Sequence, residues 1–335
     1  MRATVRDVAT RAGVSPKTVS NVVNGVVFVR PETRERVEAA VKELQYVPNL
    51  SARGLRNGRT GAIALAFPDL GTMYTAEMLH WFVEIAHELG WAVQLEETGR
   101  RPERERDLLL RGREHLIDGL VLNPVTLESS AIVGADTLPP VVVIGEVEQT
   151  LVDQVSVDSV AAARDMTAYL LSLGHRRIAA IGAAGPVFDS ASNRQRTEGY
   201  RRAIAAAGLA SDPALEFSGL WSPESGRHMV LEALDRGLDI DAFFCFTDSM
   251  ALGALSALAS RGISVPGDVS VAGFDDIADA RFSTPSLTTI TFDKRAFADQ
   301  TLSLLAERVS DRTLAPRYVA IPHDIVSRAS TRPRH

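Results

Sequence analysis

Six residues with hydrogen-bonding side chains stand just behind short apolar runs: Asp69, Asn123, Glu146, Asp248, and the adjacent Asp275 and Asp276. In an open α/β sheet a ligand sits beyond the carboxyl ends of the strands, so these side chains would converge on one cleft edge. Arg196 joins them, because it opens a helix after the run that ends near Gly182 and carries a planar cation suited to bidentate contacts. This is binding chemistry rather than turnover. Asp275 and Asp276 are neighbours at a strand end, where successive side chains diverge, and make a poor catalytic pair. No glycine-rich phosphate loop follows any run, so no nucleotide cofactor is expected. The seven histidines show no metal spacing.

A second set lies near the start of the chain. Ser15, Pro16, Lys17, Ser20 and Asn21 fall on the outer side of a short helix whose other side is Val19, Val22 and Val23. Lysine suits guanine O6 and N7, and asparagine suits adenine N6 and N7, so this is a set that can read base edges in a major groove.

The elements that hold these groups can be read from caps and periodicity. Thr4 with Asp7 three residues on has capping-box spacing and starts a first helix with Val5, Val8 and Ala9 on its apolar side. Gly13 permits a sharp turn, and Ser15-Pro16 restarts a helix with a good N-cap and proline at the first position. Arg30-Pro31-Glu32-Thr33 starts a third, with Val37, Ala40, Val41 and Leu44 on one stripe. Asn49–Leu55 follows as a short segment, too short to be a stable helix alone in water. From Gly61 the pattern changes. Apolar runs at Ala62–Phe67, Ala92–Leu95, Gly119–Leu122, Val141–Ile144, Ile178–Ile181, Ala242–Phe246 and Val269–Ala272 alternate with amphipathic stretches, the signature of a doubly wound parallel α/β architecture. That region is longer than one such sheet needs, so two lobes are expected.

Charge follows the same division. The whole chain carries a net charge of -6, but residues 1–59 hold eleven Lys and Arg against five Asp and Glu, and the remainder holds 25 against 37. A basic head on an acidic body is the asymmetry expected when one part meets phosphate. A single cysteine, Cys245, excludes an internal disulfide framework and fits a reducing compartment. No signal-peptide pattern and no long apolar run is seen, so a cytoplasmic protein without a membrane partner is expected.

The motifs Asp7-Val8-Ala9, Ala12-Gly13-Val14-Ser15, Thr18-Val19-Ser20 and Val22-Val23-Asn24 together resemble the head of the lac repressor (LacI/GalR) family of bacterial transcription regulators. The resemblance extends over nearly the whole chain through Leu173-Gly174-His175-Arg176, Arg194-Gln195-Arg196, Thr247-Asp248-Ser249-Met250 and Gly273-Phe274-Asp275-Asp276. It implies an all-α helix-turn-helix head over residues 1–48, a hinge helix and linker over 49–59, and a two-lobed core like periplasmic sugar-binding proteins over 60–335. Lobe 1 would span about 60–158 and 291–317, and lobe 2 about 159–290 and 318–330. It further implies that Asn49, Ala52, Arg53 and Leu55 belong to a hinge that enters the minor groove, where a leucine wedge bends the duplex.

The same resemblance carries effector binding onto Asp69, Tyr74, Asn123, Arg196, Asp248 and Asp275, with Glu146 at its strand end beside them. Trp221 matches an aromatic of sugar-responsive members, and would either stack on a pyranose or pack within its loop. Two positions depart from the family's pattern. Thr247 replaces a common asparagine, and Phe292 stands where a polar side chain is common. The expectation is therefore a homodimeric regulator, most simply a repressor, of double-stranded palindromic operator DNA. A small-molecule effector, a sugar or another small polar metabolite, would control it, and no leucine-heptad tail suggests a tetramer. The rivals are a cytoplasmic solute-binding protein without a regulatory role, and an enzyme on an α/β scaffold, for which no nucleophile, cofactor or metal motif stands.

Overall fold

The computed structural model describes residues 3–23, 28–46, 59–135 and 137–334. It divides into two compact units, Met1–Thr60 and Gly61–His335.

In the first unit, helices α1 (Val5–Ala12), α2 (Pro16–Val23) and α3 (Pro31–Glu43) close around Val8, Ala9, Ala12, Val19, Val22, Val37 and Ala40. The capping box is formed: the Thr4 amide donates to the Asp7 carboxylate at 2.8 Å and the Asp7 amide to Thr4 Oγ1 at 3.4 Å. Gly13 ends α1 in the left-handed region at φ 65°, a conformation that costs a Cβ-bearing residue about 1 kcal/mol. Ser15 Oγ then accepts from the Thr18 amide at 3.1 Å and starts α2. Arg30 gives α3 no side-chain cap, and Pro31 at the first position defines its start instead. The expected hinge residues Asn49, Ala52, Arg53 and Leu55 lie outside the described residues.

The second unit contains two six-stranded sheets. The first holds β1 (Ala62–Phe67), β2 (Ala92–Glu97), β3 (Gly119–Leu122), β4 (Val141–Ile144), β5 (Asp153–Val157) and β11 (Tyr318–Ile321), in the order β11-β5-β4-β3-β1-β2 and wholly parallel. Its connecting helices are α4 (Met73–Glu88) and α5 (Pro102–Arg113), and α11 (Lys294–Ser310) packs on β3, β4 and β5. The second sheet holds β6 (Ile178–Ile181), β7 (Glu216–Phe217), β8 (Ala242–Cys245), β9 (Ser270–Phe274), β10 (Thr288–Phe292) and β12 (His323–Val326), in the order β12-β10-β9-β8-β6-β7. It is parallel except at its edge, where β12 runs antiparallel to β10. Around it lie α6 (Ser159–Ser172), α7 (Ala191–Ala206), α8 (Pro223–Asp235), α9 (Asp248–Ser260) and α10 (Ala278–Phe282).

The two-lobed parallel α/β architecture expected from the sequence is present. β11 pairs with β5 in the first sheet, so that sheet continues past residue 317, where the sequence reading placed the crossing into the other lobe. β5 is absent from the apolar-run reading for a chemical reason: Asp153, Gln154 and Ser156 are buried in it. Arg308 and Arg317 satisfy the Asp153 carboxylate at 2.9 Å and 3.2 Å.

Candidate functional site

In the first unit, Ser15, Pro16 and Lys17 are exposed at the start of α2, while Ser20 and Asn21 are half-buried one turn on. Val19 and Val22, on the opposite side, anchor the helix in the core. The five residues therefore share the outward side near the N-terminal end of α2, the geometry by which a second helix presents side chains to base edges.

In the second unit, strand ends from both sheets surround a cavity lined by polar and aromatic side chains. Asp69 follows β1, Asn123 follows β3, and Glu146 follows β4 after Gly145. From the other sheet come Thr247 and Ser249 after β8, and Phe274 and Asp275 at the end of β9. The Asp69 carboxylate also closes its own turn by accepting from the Gly71 amide at 2.7 Å. Tyr74 enters from the first turn of α4 and packs edge-on against Phe292, with ring centroids 6.4 Å apart. Phe292, like Tyr74, lines the cavity.

Arg196 is buried, only 5% exposed, at the centre of the polar groups. It sits six residues into α7 rather than at the helix start, because Ser190 caps the helix and closes a capping box with Asn193. Its guanidinium lies 3.5 Å over the Phe274 ring and 4.9 Å from the Trp221 ring. It donates to the Phe246 carbonyl, and to Ser159 Oγ at 3.4 Å. Glu146 and Asp275 lie 3.7 Å and 3.9 Å from it. The Trp221 indole N–H donates to the Gly182 carbonyl at 3.2 Å, which fixes the ring's edge and leaves its face toward Arg196 and the cavity. Glu146 accepts from Ser192 Oγ at 2.5 Å and Ser159 Oγ at 2.9 Å.

Burial pushes the Asp275 carboxyl up to about 7, against the opposing pull of Arg196 and Lys294. The Tyr74 hydroxyl is pushed above its ordinary range by burial and by the neighbouring carboxylates of Asp275 and Glu146. Both directions follow from taking a charge out of water.

Asp248 is placed differently from the other predicted residues. It is 0% exposed and does not line the cavity. Its carboxylate turns inward beneath the wall, accepting from the Ile277 amide at 2.9 Å and Thr289 Oγ1 at 2.5 Å. Of the adjacent pair, Asp275 faces the cavity, whereas Asp276 pairs with Arg328 at 2.5 Å. The sequence reading did not single out Ser190, Ser192, Phe188 or Arg100, which also line the cavity. The Ser190-x-x-Asn193 spacing was the available signal for the first two. Phe188 and Arg100, stacked 4.5 Å apart from loops on opposite sides, have no pattern that marks them. Among the described residues no group of three or more His, Cys, Asp or Glu is arranged to hold a metal ion. Nor is any described helix long and apolar enough to cross a membrane.

A three-helix head with a helix-turn-helix, together with a two-lobed α/β core that opens a polar and aromatic cavity at its strand ends, defines a ligand-responsive regulator architecture. Residues 4–49 match the model of bacterial regulatory proteins of the lacI family, and residues 167–331 match the periplasmic binding protein-like domain. The chain is 32% identical over 333 residues to the HTH-type transcriptional repressor PurR of Histophilus somni (strain 129Pt), covering 98% of this chain and 99% of that one. The lac repressor dimer bound to operator and the anti-inducer ONPF is similar at a TM-score of 0.88 and 29% identity, over 99% of this chain and 100% of that one. The transcriptional regulator CelR in complex with cellobiose aligns at a TM-score of 0.73 and 32% identity, over 98% of this chain and 100% of that one. The chain belongs to the lacI family of bacterial transcription regulators.

Proposed function

We propose that this regulator is a cytoplasmic homodimeric repressor, without catalytic activity, that binds a palindromic operator and releases or retains it according to a neutral sugar in the cavity. Ser15, Pro16, Lys17, Ser20 and Asn21 read the major groove, and residues 49–59 act as a hinge, with Ala52 and Leu55 in the minor groove. The three-part division at 1–48, 49–59 and 60–335 belongs to this reading.

The observation that carries the effector class is the charge balance around Arg196. Its cation is already faced by Glu146 and Asp275, so an anionic group brought to Arg196 would meet carboxylates, while Arg100, the other cation of the lining, lies over the Phe188 ring. What the cavity does offer is hydroxyl, amide and carboxylate groups beside the faces of Trp221 and Phe274. A sugar matches both kinds of group, since its hydroxyls pair with Asp69, Asn123 and Asp275 while its C–H face lies on an aromatic ring. The similarity to a regulator solved with cellobiose supports the same class.

Selection from a randomised duplex pool at near-physiological salt tests the DNA half. An inverted repeat with a pyrimidine–purine centre is expected, and enrichment of asymmetric single half-sites by folded protein would overturn the dimeric palindrome. Titrating neutral mono- and disaccharides against sugar phosphates, read by Trp221 fluorescence, tests the other half. Binding confined to the phosphates would sink the neutral class.

A further inference from the structure

Asp248 was expected at the ligand and lies instead behind it, which raises the question of what a fully buried carboxylate is doing there. The answer is in the turn between β9 and α10. Asp275 and Asp276 both hold positive φ, at 115° and 46°, a conformation that residues with a Cβ seldom adopt and that persists only where surrounding contacts impose it. Each backbone amide of this turn has a partner on neighbouring elements. Asp275 donates to the Ile290 carbonyl at 3.0 Å, Asp276 to Thr289 Oγ1 at 3.5 Å, and Ile277 to Asp248 Oδ2 at 2.9 Å. Thr289 Oγ1 in turn donates to Asp248 Oδ1 at 2.5 Å. A Cβ at Gly273 would lie 2.1 Å from that same oxygen, so glycine there keeps the space in which the carboxylate sits.

We propose that Asp248 and Thr289 are positioning residues that hold the Asp275–Asp276 turn in its left-handed form and thereby aim the Asp275 carboxyl into the cavity beside Arg196. The proposal rests on the cavity being the effector site, and it assigns Asp248 no contact with the effector. Asp248 braces the far side of the turn through the Ile277 amide, and Thr289 braces the near side through the Asp276 amide while being locked by Asp248. Lys294 Nζ, from α11, completes the frame by donating to the Asp276 carbonyl at 2.8 Å.

The test needs no effector, so its failure is separate from failure of the sugar screen. Trp81→Phe and Trp91→Phe leave Trp221 as the single tryptophan, a reporter placed against the Arg196 guanidinium that Asp275 faces. The titratable and charged groups around Asp275 are Arg196 on α7, Lys294 on α11, Glu146 behind β4, Glu77 and Tyr74 on α4, and Asp248 on α9, whose carboxyl is itself pushed well above its ordinary range by burial and by Asp275. Fluorescence followed across pH should show a transition near the Asp275 value of about 7, and Asp275→Asn should remove it. Thr289→Val keeps the side chain's shape but loses both bonds; it should move the midpoint down by about one pH unit or more as the carboxyl gains water. Thr289→Ser retains the hydroxyl and should keep the parent midpoint. Thermal melting of each variant records any general loss of stability. A Thr289→Val protein that melts earlier but titrates at the parent midpoint would reduce the pair to ordinary core residues and overturn the proposal. Equal shifts in the valine and serine variants, or a transition that survives Asp275→Asn at the parent midpoint, would overturn it as well.

Discussion

Arg196 reaches the cavity from the interior of α7 with the Phe274 and Trp221 rings beside its guanidinium and a carboxylate near each terminal nitrogen. Replacing it with alanine would strand Glu146 and Asp275 together, so effector response should disappear while operator affinity stays within about twofold, read by fluorescence anisotropy with and without sugar. Lysine is not an adequate substitute, because a point charge neither stacks on an aromatic ring nor spans two carboxylates. Asp275 allows a pH prediction. Its folded value of about 7 lies above the usual carboxylate value, so the folded state holds a proton that the unfolded chain has already released. This group's cost to stability therefore grows as pH rises from about 4 to about 7 and stays in full above that. Asp275→Asn should raise the melting temperature relative to the parent more at pH 8 than at pH 5, and an equal change at both would contradict the assignment. At the head, Lys17→Ala should relax base preference; a preferred sequence left untouched would misplace the reading side of α2. Legibility at this scale depended on whether a residue's neighbours fix its direction. Asp69, Asn123, Glu146 and Asp275 were readable from strand ends alone. Asp248 was misplaced because a residue at the first position of α9 can turn its carboxylate inward, which spacing along the chain does not reveal.

At the scale of elements, six of the seven apolar runs were readable because burial on both faces of a parallel sheet leaves an unbroken hydrophobic signal, whereas β2, at the sheet edge, is largely exposed and was readable only from its short run Ala92–Leu95. The strands that escaped were those whose environment departs from that rule. β5 carries buried Asp153, Gln154 and Ser156, the first satisfied by arginines from later in the chain, β10 carries buried Thr288 and Thr289 that interrupt its apolar signal, and β7 has only two residues. β11 and β12 lie at sheet edges, where half-exposed alternation is weak over four residues. Helix packing yields a further prediction. A Cβ at Gly253 would sit 1.9 Å from the Pro223 carbonyl, and one at Gly199 would sit 2.3 Å from the Val160 carbonyl, so α8 with α9, and α6 with α7, touch through their backbones. Gly253→Ala should cost about 2–3 kcal/mol in denaturant unfolding, since the obstacle is main chain and cannot swing away. In contrast, Arg11→Ala should change head stability by less than about 1 kcal/mol, because its 2.7 Å pair with Glu43 is exposed on both sides.

At the scale of the whole molecule, the basic head and acidic body could be read from charge counts, and the two-lobed class from the alternation of elements. The pairing of the last strands could not, because β11 and β12 are separated by a single residue yet join different sheets. That feature constrains how the protein is made. The first sheet, begun at residue 62, waits for Tyr318–Ile321 to complete its edge, and the second waits for His323–Val326. While the ribosome is still translating the second lobe, β5 lacks its β11 neighbour and Asp153 lacks Arg308 and Arg317. Both lobes therefore finish almost together, once residues 318–326 have been made. A transcript cut short before codon 318 would yield a head that can fold ahead of a body that cannot, so premature termination should produce chains fit for degradation rather than an effector-blind repressor.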